Sequence, residues 1–164
     1  SEGFVIPELD ADPPSSNSGL WDFGSTNEDE NFPATNGRVF EELGTTTRLG
    51  NPNPSRSLAT GNIYSVRSFS GSYEYLLNEA TVNSRGSNTV GFTTSPRLGR
   101  TDGNTYFSGE IGEFVIYNTE LNEAERIIVN NYFSSKFTIP IVNARFSHEP
   151  DIRNEVAGIG KTTG

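Results

Sequence analysis

Residues Ile111–Tyr117 (IGEFVIY) constrain the fold more than any other stretch. Alternation places Ile111, Val115 and Tyr117 on one face and Phe114 and Ile116 on the other. A strand that is apolar on both faces belongs in the middle of a sheet covered on both sides. The cover follows directly. Asn122 is placed to cap a helix, and Glu125, three residues on, completes a capping box. Glu123 and Glu125 suit the positive end of the helix dipole, and Lys136 suits the other end. The spacing predicts one amphipathic helix over 123–135. Ala124, Ile127, Ile128 and Tyr132 form its packing face, and Arg126, Asn130 and Asn131 lie largely elsewhere.

Everything before this stretch reads as short strands and polar loops. Ile63–Phe69 alternates cleanly, with Tyr64, Val66 and Ser68 opposite Ile63, Ser65, Arg67 and Phe69. Tyr73–Leu77 and Ala80–Asn83 follow, joined by a hairpin turn at Asn78-Glu79. Leu20–Gly24, Arg38–Leu43, Thr89–Thr93 and Arg97–Arg100 are further short strands, the last two separated at Ser95-Pro96. Asp102-Gly103 is a type I′ turn signal, and NPNPSR at 51–56 is a loop. Strands spaced by roughly 8–12 residues, without β-α-β alternation, predict an all-β, antiparallel β-sandwich of jelly-roll type with one short helix. The 17 glycines and 9 prolines suit such a chain, and 11 Phe with 6 Tyr can fill a core between two sheets.

A formal net charge of −9, with 12 basic residues scattered along the chain, argues against nucleic-acid binding. There is no cysteine, hence no disulfide and no cysteine metal site. No apolar run is long enough for a spanning helix. The opening SEGFVIPELD lacks the pattern of a secretory signal, so the signal is expected to be absent or already removed.

The series Phe107-x-Gly109-x-Ile111-x-Glu113-Phe114-x-Ile116-Tyr117-Asn118-x-x-Leu121-x-x-x-Glu125 resembles the closing segment of laminin-G-like domains, members of the concanavalin A-like lectin/glucanase fold. The nearest branch is that of bacterial secreted and cell-surface proteins. The resemblance covers Leu20 to Phe137. It implies a β-sandwich over 1–137 that lacks its opening strands, followed by an extension over 138–164 that resembles the start of another module. By that reading the chain is a piece of a longer polypeptide.

Enzymes of this fold carry a Glu-x-Asp-x-x-Glu strand. The nearest match, Glu8-Leu9-Asp10-Ala11-Asp12-Pro13, has Pro13 where the third carboxylate belongs and sits in a Pro-rich loop. His148 stands alone near the C-terminus, and GIGKT at 158–162 lacks the first glycine of a phosphate loop. No enzyme activity is expected. The resemblance admits Ca²⁺, since hard oxygen ligands are plentiful. Gly112 occupies the position where much of the family has an acidic ligand; Glu113 remains, and Asp102 with Asn104, Asp10, Asp12 and the acidic run at 28–30 are the other candidates. Trp21, Tyr73, Tyr75 and Tyr106 are candidate sugar platforms, each weighed against a place in the core. The resemblance thus implies a non-catalytic, extracellular or cell-surface binding and adhesion module whose ligand is a glycan or a protein. The alternative is a subunit of an extracellular filament, pairing with copies of itself or with the rest of a parent chain. Missing opening strands would leave an open edge, and 137–146 (FTIPIVNARF) could be donated as a strand.

Overall fold

In the computed structural model, residues 1–26 and 30–145 are described; His148 and the glycine-rich 158–162 stretch lie outside them. Nine strands are present among these residues: β1 (Glu2–Leu9), β2 (Trp21–Gly24), β3 (Phe40–Glu41), β4 (Leu49–Gly50), β5 (Tyr64–Phe69), β6 (Ser72–Leu77), β7 (Ala80–Arg85), β8 (Phe92–Leu98) and β9 (Gly109–Tyr117). One helix, α1 (Glu123–Phe137), follows. A five-stranded antiparallel sheet runs in the order β7-β6-β5-β1-β9. Two small sheets, β2–β8 and β3–β4, supply the second layer of a β-sandwich.

Alternation in β5 and β6 sends Tyr64, Val66, Tyr73, Tyr75 and Leu77 into the core between the layers, against Trp21, Phe32, Val39, Leu43 and Leu58. The opposite face of the large sheet carries Phe4, Ile6 and Ile63, covered by Phe133 of α1 and by Ile139 just beyond it. The hairpin turn at Asn78 and Glu79 has both residues in the left-handed region, as a two-residue type I′ turn requires.

The doubly covered central strand is β1, not 111–117. Its residues from Glu2 to Pro7 are all buried, and β9 forms an edge of the sheet beside it. The face assignment of β9 also changes. Val5 pairs with Phe114 but Pro7 pairs with Ile111, so two residues of β9 stand opposite one of β1. This bulge turns Ile111 onto the same face as Phe114, into the inter-layer core, while Val115 and Tyr117 pack toward the helix. Gly112 and Glu113 occupy the bulge. A Cβ at Gly112 would lie 2.7 Å from the Phe137 ring. The glycine is therefore explained by packing beneath the end of α1.

The capping box forms as expected. Asn122 Oδ1 accepts from the Glu125 amide at 3.0 Å, and Glu125 Oε2 accepts from the Asn122 amide at 2.7 Å. The packing face of the helix differs from the expected one. Ile128 and Tyr132 are 46% and 44% exposed, whereas Asn130, Phe133 and Ser134 are buried. The helix is rotated so that Arg126 points inward and reaches Glu2 Oε1 at 3.1 Å. Glu2 is fully buried and is also met by Arg67 at 3.1 Å. Burying a charged Glu2 carboxylate is costly without cationic partners, and its pairing with Arg126 outweighs the apolar stripe in orienting the helix. Burial raises the Glu2 pKa, and the two guanidiniums counter it.

Other expectations shift in smaller ways. The two expected strands around Ser95-Pro96 are one strand, β8, whose pairing with β2 is irregular between Arg97 and Phe92, so Pro96 falls where the ladder is interrupted. At the turn after Thr101 the left-handed residue is Asn104, not Asp102 or Gly103. The 138–145 segment contains no strand. Ile139 is buried under the sheet, Asn143 donates its amide to Glu79 at 2.7 Å, and Arg145 donates its own to Asn131 at 2.8 Å. Among its described residues, the segment considered for strand donation folds back on its own domain.

Candidate functional site

The aromatic candidates divide sharply. Trp21, Tyr73 and Tyr75 are 0%, 1% and 0% exposed, so none offers a ring face to a ligand. Trp21 is the hinge of an aromatic cluster, 5.2 Å from Tyr64 and 6.0 Å from Phe114 between ring centroids. Its indole N–H donates to Glu41 Oε1 at 2.8 Å. The Tyr73 hydroxyl oxygen accepts from Asn51 Nδ2 at 3.0 Å. These rings are core, which corrects their candidacy as platforms. Tyr106 alone is open, at 60% exposure, beside the Asp102 turn.

The metal candidates do not converge. Glu113 receives Tyr132 Oη at 3.1 Å and Lys136 Nζ at 2.8 Å, and the Glu113 carboxylate pushes the Lys136 pKa up to about 12. Asp102 pairs with Arg97 at 2.8 Å. Asn104 fills the left-handed turn position. Among the described residues, no three acidic or imidazole groups are grouped as metal ligands. The acidic opening loop is likewise occupied: Asp10 accepts from Ser108 Oγ at 2.8 Å, and Asp12 accepts from the Leu58 amide at 2.6 Å.

Acidic groups also sit inside the core. Glu41 is fully buried, with Oε1 accepting from Trp21 Nε1 and from the amides of Glu42 and Leu43 at 2.9 and 2.7 Å. Its other oxygen accepts from the Tyr64 hydroxyl. Burial pushes its pKa up to about 7 against those hydrogen bonds. Glu30, also fully buried, accepts from the amides of Leu20 and Trp21, and burial together with the nearby Glu41 raises its pKa well above the usual range. These carboxyls order the strand ends around Trp21 and are closed to solvent.

The open polar surface lies at the 34–57 loops. An exposed trough of about 300 Å³ is lined by Asp12, Pro13, Asn36, Gly37, Asn53 and the 54–57 turn. Asn53 Nδ2 donates to the Asn36 carbonyl at 2.9 Å, which ties the two loops together, and the Arg38 amide donates to Asn36 Oδ1 at 3.0 Å within the first of them. A second groove of about 370 Å³ shares Pro54, Ser55 and Arg56 and is otherwise mainly apolar, with Leu77, Val82, Pro140 and Ile141 among its walls. Arg56 thus stands exposed between a polar trough and an apolar groove.

Along the same loops, Phe40 carries two guanidiniums, Arg48 at 3.9 Å and Arg38 at 5.2 Å from its ring centroid. Phe40 pairs with Gly50 across β3–β4. Arg85 donates to the Gly50 carbonyl, and Arg38 Nη2 would lie 3.1 Å from a Cβ on that glycine.

The fold has a solved counterpart. The CBM40 carbohydrate-binding domain of Ruminococcus gnavus IT-sialidase, solved with α2,3-sialyllactose, is similar with a TM-score of 0.57 over 79% of this chain and 81% of that one. At 19% identity the likeness is one of fold. No family model and no curated protein matches the sequence.

The loop face was not visible in the linear sequence. NPNPSR reads only as a loop, and Arg38, Arg48 and Arg85 are too far apart in sequence to form a stripe. The pairing of Phe40 with Gly50 would have been the signal, since it lays the segment carrying Arg48 beside Phe40, whose ring Arg38 also covers.

Proposed function

We propose that this chain is a non-catalytic, extracellular binding module of laminin-G-like, concanavalin A-like kind, and that it binds carbohydrate through the trough at Asp12, Asn36, Asn53 and Arg56. The observation that carries this reading is the composition of the trough. Two side-chain amides, two serines, a carboxylate and a guanidinium line one open depression, and an apolar groove adjoins it. Sugars present hydroxyls in the ring plane and C–H groups on the ring faces, so a ligand spanning both surfaces meets a partner for each. The fold likeness to a carbohydrate-binding domain supports the class of ligand and does not supply the site.

A glycan array probed with and without EDTA tests the reading, with Asn53→Ala/Arg56→Ala run in parallel. Both residues are exposed, so the variant should fold. Binding to a set of related glycans that the double variant loses is the expected result. Silence across the array in both conditions would sink carbohydrate binding. Binding that survives the double variant would move the site elsewhere, with exposed Tyr106 the first place to look.

A further inference from the structure

Four basic side chains serve as structural ion-pair partners among the described residues: Arg67, Arg97, Arg126 and Lys136. Arg38, Arg48 and Arg85 do not join them, although the chain carries a net charge of −9. They gather instead around Phe40 and Gly50, and each spends its described side-chain hydrogen bond on a neutral oxygen. Arg38 donates to the Asn51 carbonyl at 3.4 Å, Arg48 to Asn31 Oδ1 at 2.8 Å, and Arg85 to the Gly50 carbonyl. A guanidinium has five N–H donors, so most remain uncommitted. Three like charges held together, with no acidic ion-pair partner among the described residues, repel one another. The arrangement persists because the Phe40 ring and backbone carbonyls offset part of that repulsion and solvent screens the rest. The result is a local positive patch on an acidic protein, with planar donor forks that match a carboxylate or sulfate.

We propose that this cluster is an anion subsite of the same carbohydrate-binding face, and that the ligand is an acidic polysaccharide bearing carboxylate or sulfate groups. The inference rests on the carbohydrate reading above and sharpens it. The cluster adjoins the trough in sequence and in space, because the Arg38 amide is bound to Asn36 and the Arg38 guanidinium to Asn51, two residues before Asn53. A chain lying along the trough would carry its acidic substituents to the arginines.

The test is binding by the whole chain to four soluble polymers at 50 mM NaCl: dextran sulfate, polygalacturonate, neutral dextran and poly-L-glutamate. Biolayer interferometry or calorimetry reads the affinity. Binding to dextran sulfate, to polygalacturonate or to both is expected, and the difference between them separates sulfate from carboxylate. Dextran should not bind, and the signal should fall as NaCl is raised to 300 mM. Arg38→Gln/Arg85→Gln should weaken the binding at least about ten-fold, the order expected for losing charge-assisted hydrogen bonds. Arg100→Gln, on a residue whose backbone bridges Tyr106 instead, should leave it unchanged. If the double variant does not give the melting curve of the parent, Arg38→Gln alone, on an exposed side chain, carries the test.

Absence of binding to both acidic glycans, or equal binding by the double variant, overturns the inference. Equal binding of poly-L-glutamate with the same arginine dependence overturns the choice of a glycan. Recognition of neutral glycans that needs Asn53 and Arg56 but not the three arginines overturns the anion subsite and leaves the carbohydrate module standing.

Discussion

The buried glutamates make stability depend on pH in an uncommon direction. Glu41 has its pKa pushed up to about 7 by burial, from the 4.5 of an ordinary exposed glutamate. A carboxyl with a raised folded-state pKa holds its proton more tightly in the folded protein. Its contribution is fully present below the unfolded pKa and is lost progressively as pH rises toward the folded one. The whole effect amounts to roughly 3 kcal/mol at 1.36 kcal/mol per unit, and about 2 kcal/mol of it falls between pH 5 and pH 7. Glu30 and Glu2 are raised as well and act with the same sign. Most of the Glu41 window lies between pH 5 and pH 7, so these are the points to compare.

Urea unfolding followed by Trp21 fluorescence is the assay. With a slope of about 2 kcal/mol/M, the midpoint should drop by about 1 M or more between pH 5 and pH 7. Glu41→Gln retains an acceptor for the Trp21 indole and a second polar atom for Tyr64, and it should remove Glu41's share of the dependence while Glu30's remains. A midpoint that is flat or rises from pH 5 to pH 7 would refute the reasoning, because no carboxylate stabilised chiefly by ion pairs gives the expected slope.

Three further outcomes follow from particular contacts. Gly112→Ala should lower stability by about 1–3 kcal/mol, read as a reduced melting temperature, since its Cβ would meet the Phe137 ring at 2.7 Å. Arg126→Ala should cost about 1–3 kcal/mol by urea titration, because Glu2 stays buried and keeps only Arg67; Glu2→Gln combined with it should recover part of the loss. Asn122→Ala should cost about 1 kcal/mol and increase amide exchange in the first turn of α1, with no change at the far end.

The sandwich was legible in the sequence because alternation in 63–77 and the turn at Asn78-Glu79 are local signals. The capping box was equally local. The central strand was misplaced because β1 and β9 are neighbours that share apolar composition, and no local feature ranks one inside the other. The faces of β9 were misassigned because a bulge at Gly112 and Glu113 breaks strict alternation, and a bulge depends on the partner strand. The helix was misoriented because its inward face is chosen by Glu2, more than a hundred residues away. The same reason hides the loop face: guanidiniums from positions 38, 48 and 85 meet only when β3 pairs with β4 and β7 lies alongside. Trp21, Tyr73 and Tyr75 show the converse. Aromatic identity alone cannot distinguish a sugar platform from core, and burial decides it.

The most direct measurement is a ¹⁵N amide titration of the whole chain with the glycan that binds most strongly on the array. Shifts confined to 34–38 and 50–57, with the amides of Arg48 and Arg85 moving as well when the glycan is acidic, are the predicted result. Shifts centred on Tyr106 and the Asp102 turn, with the 34–57 loops unmoved, would contradict the assignment of the binding face.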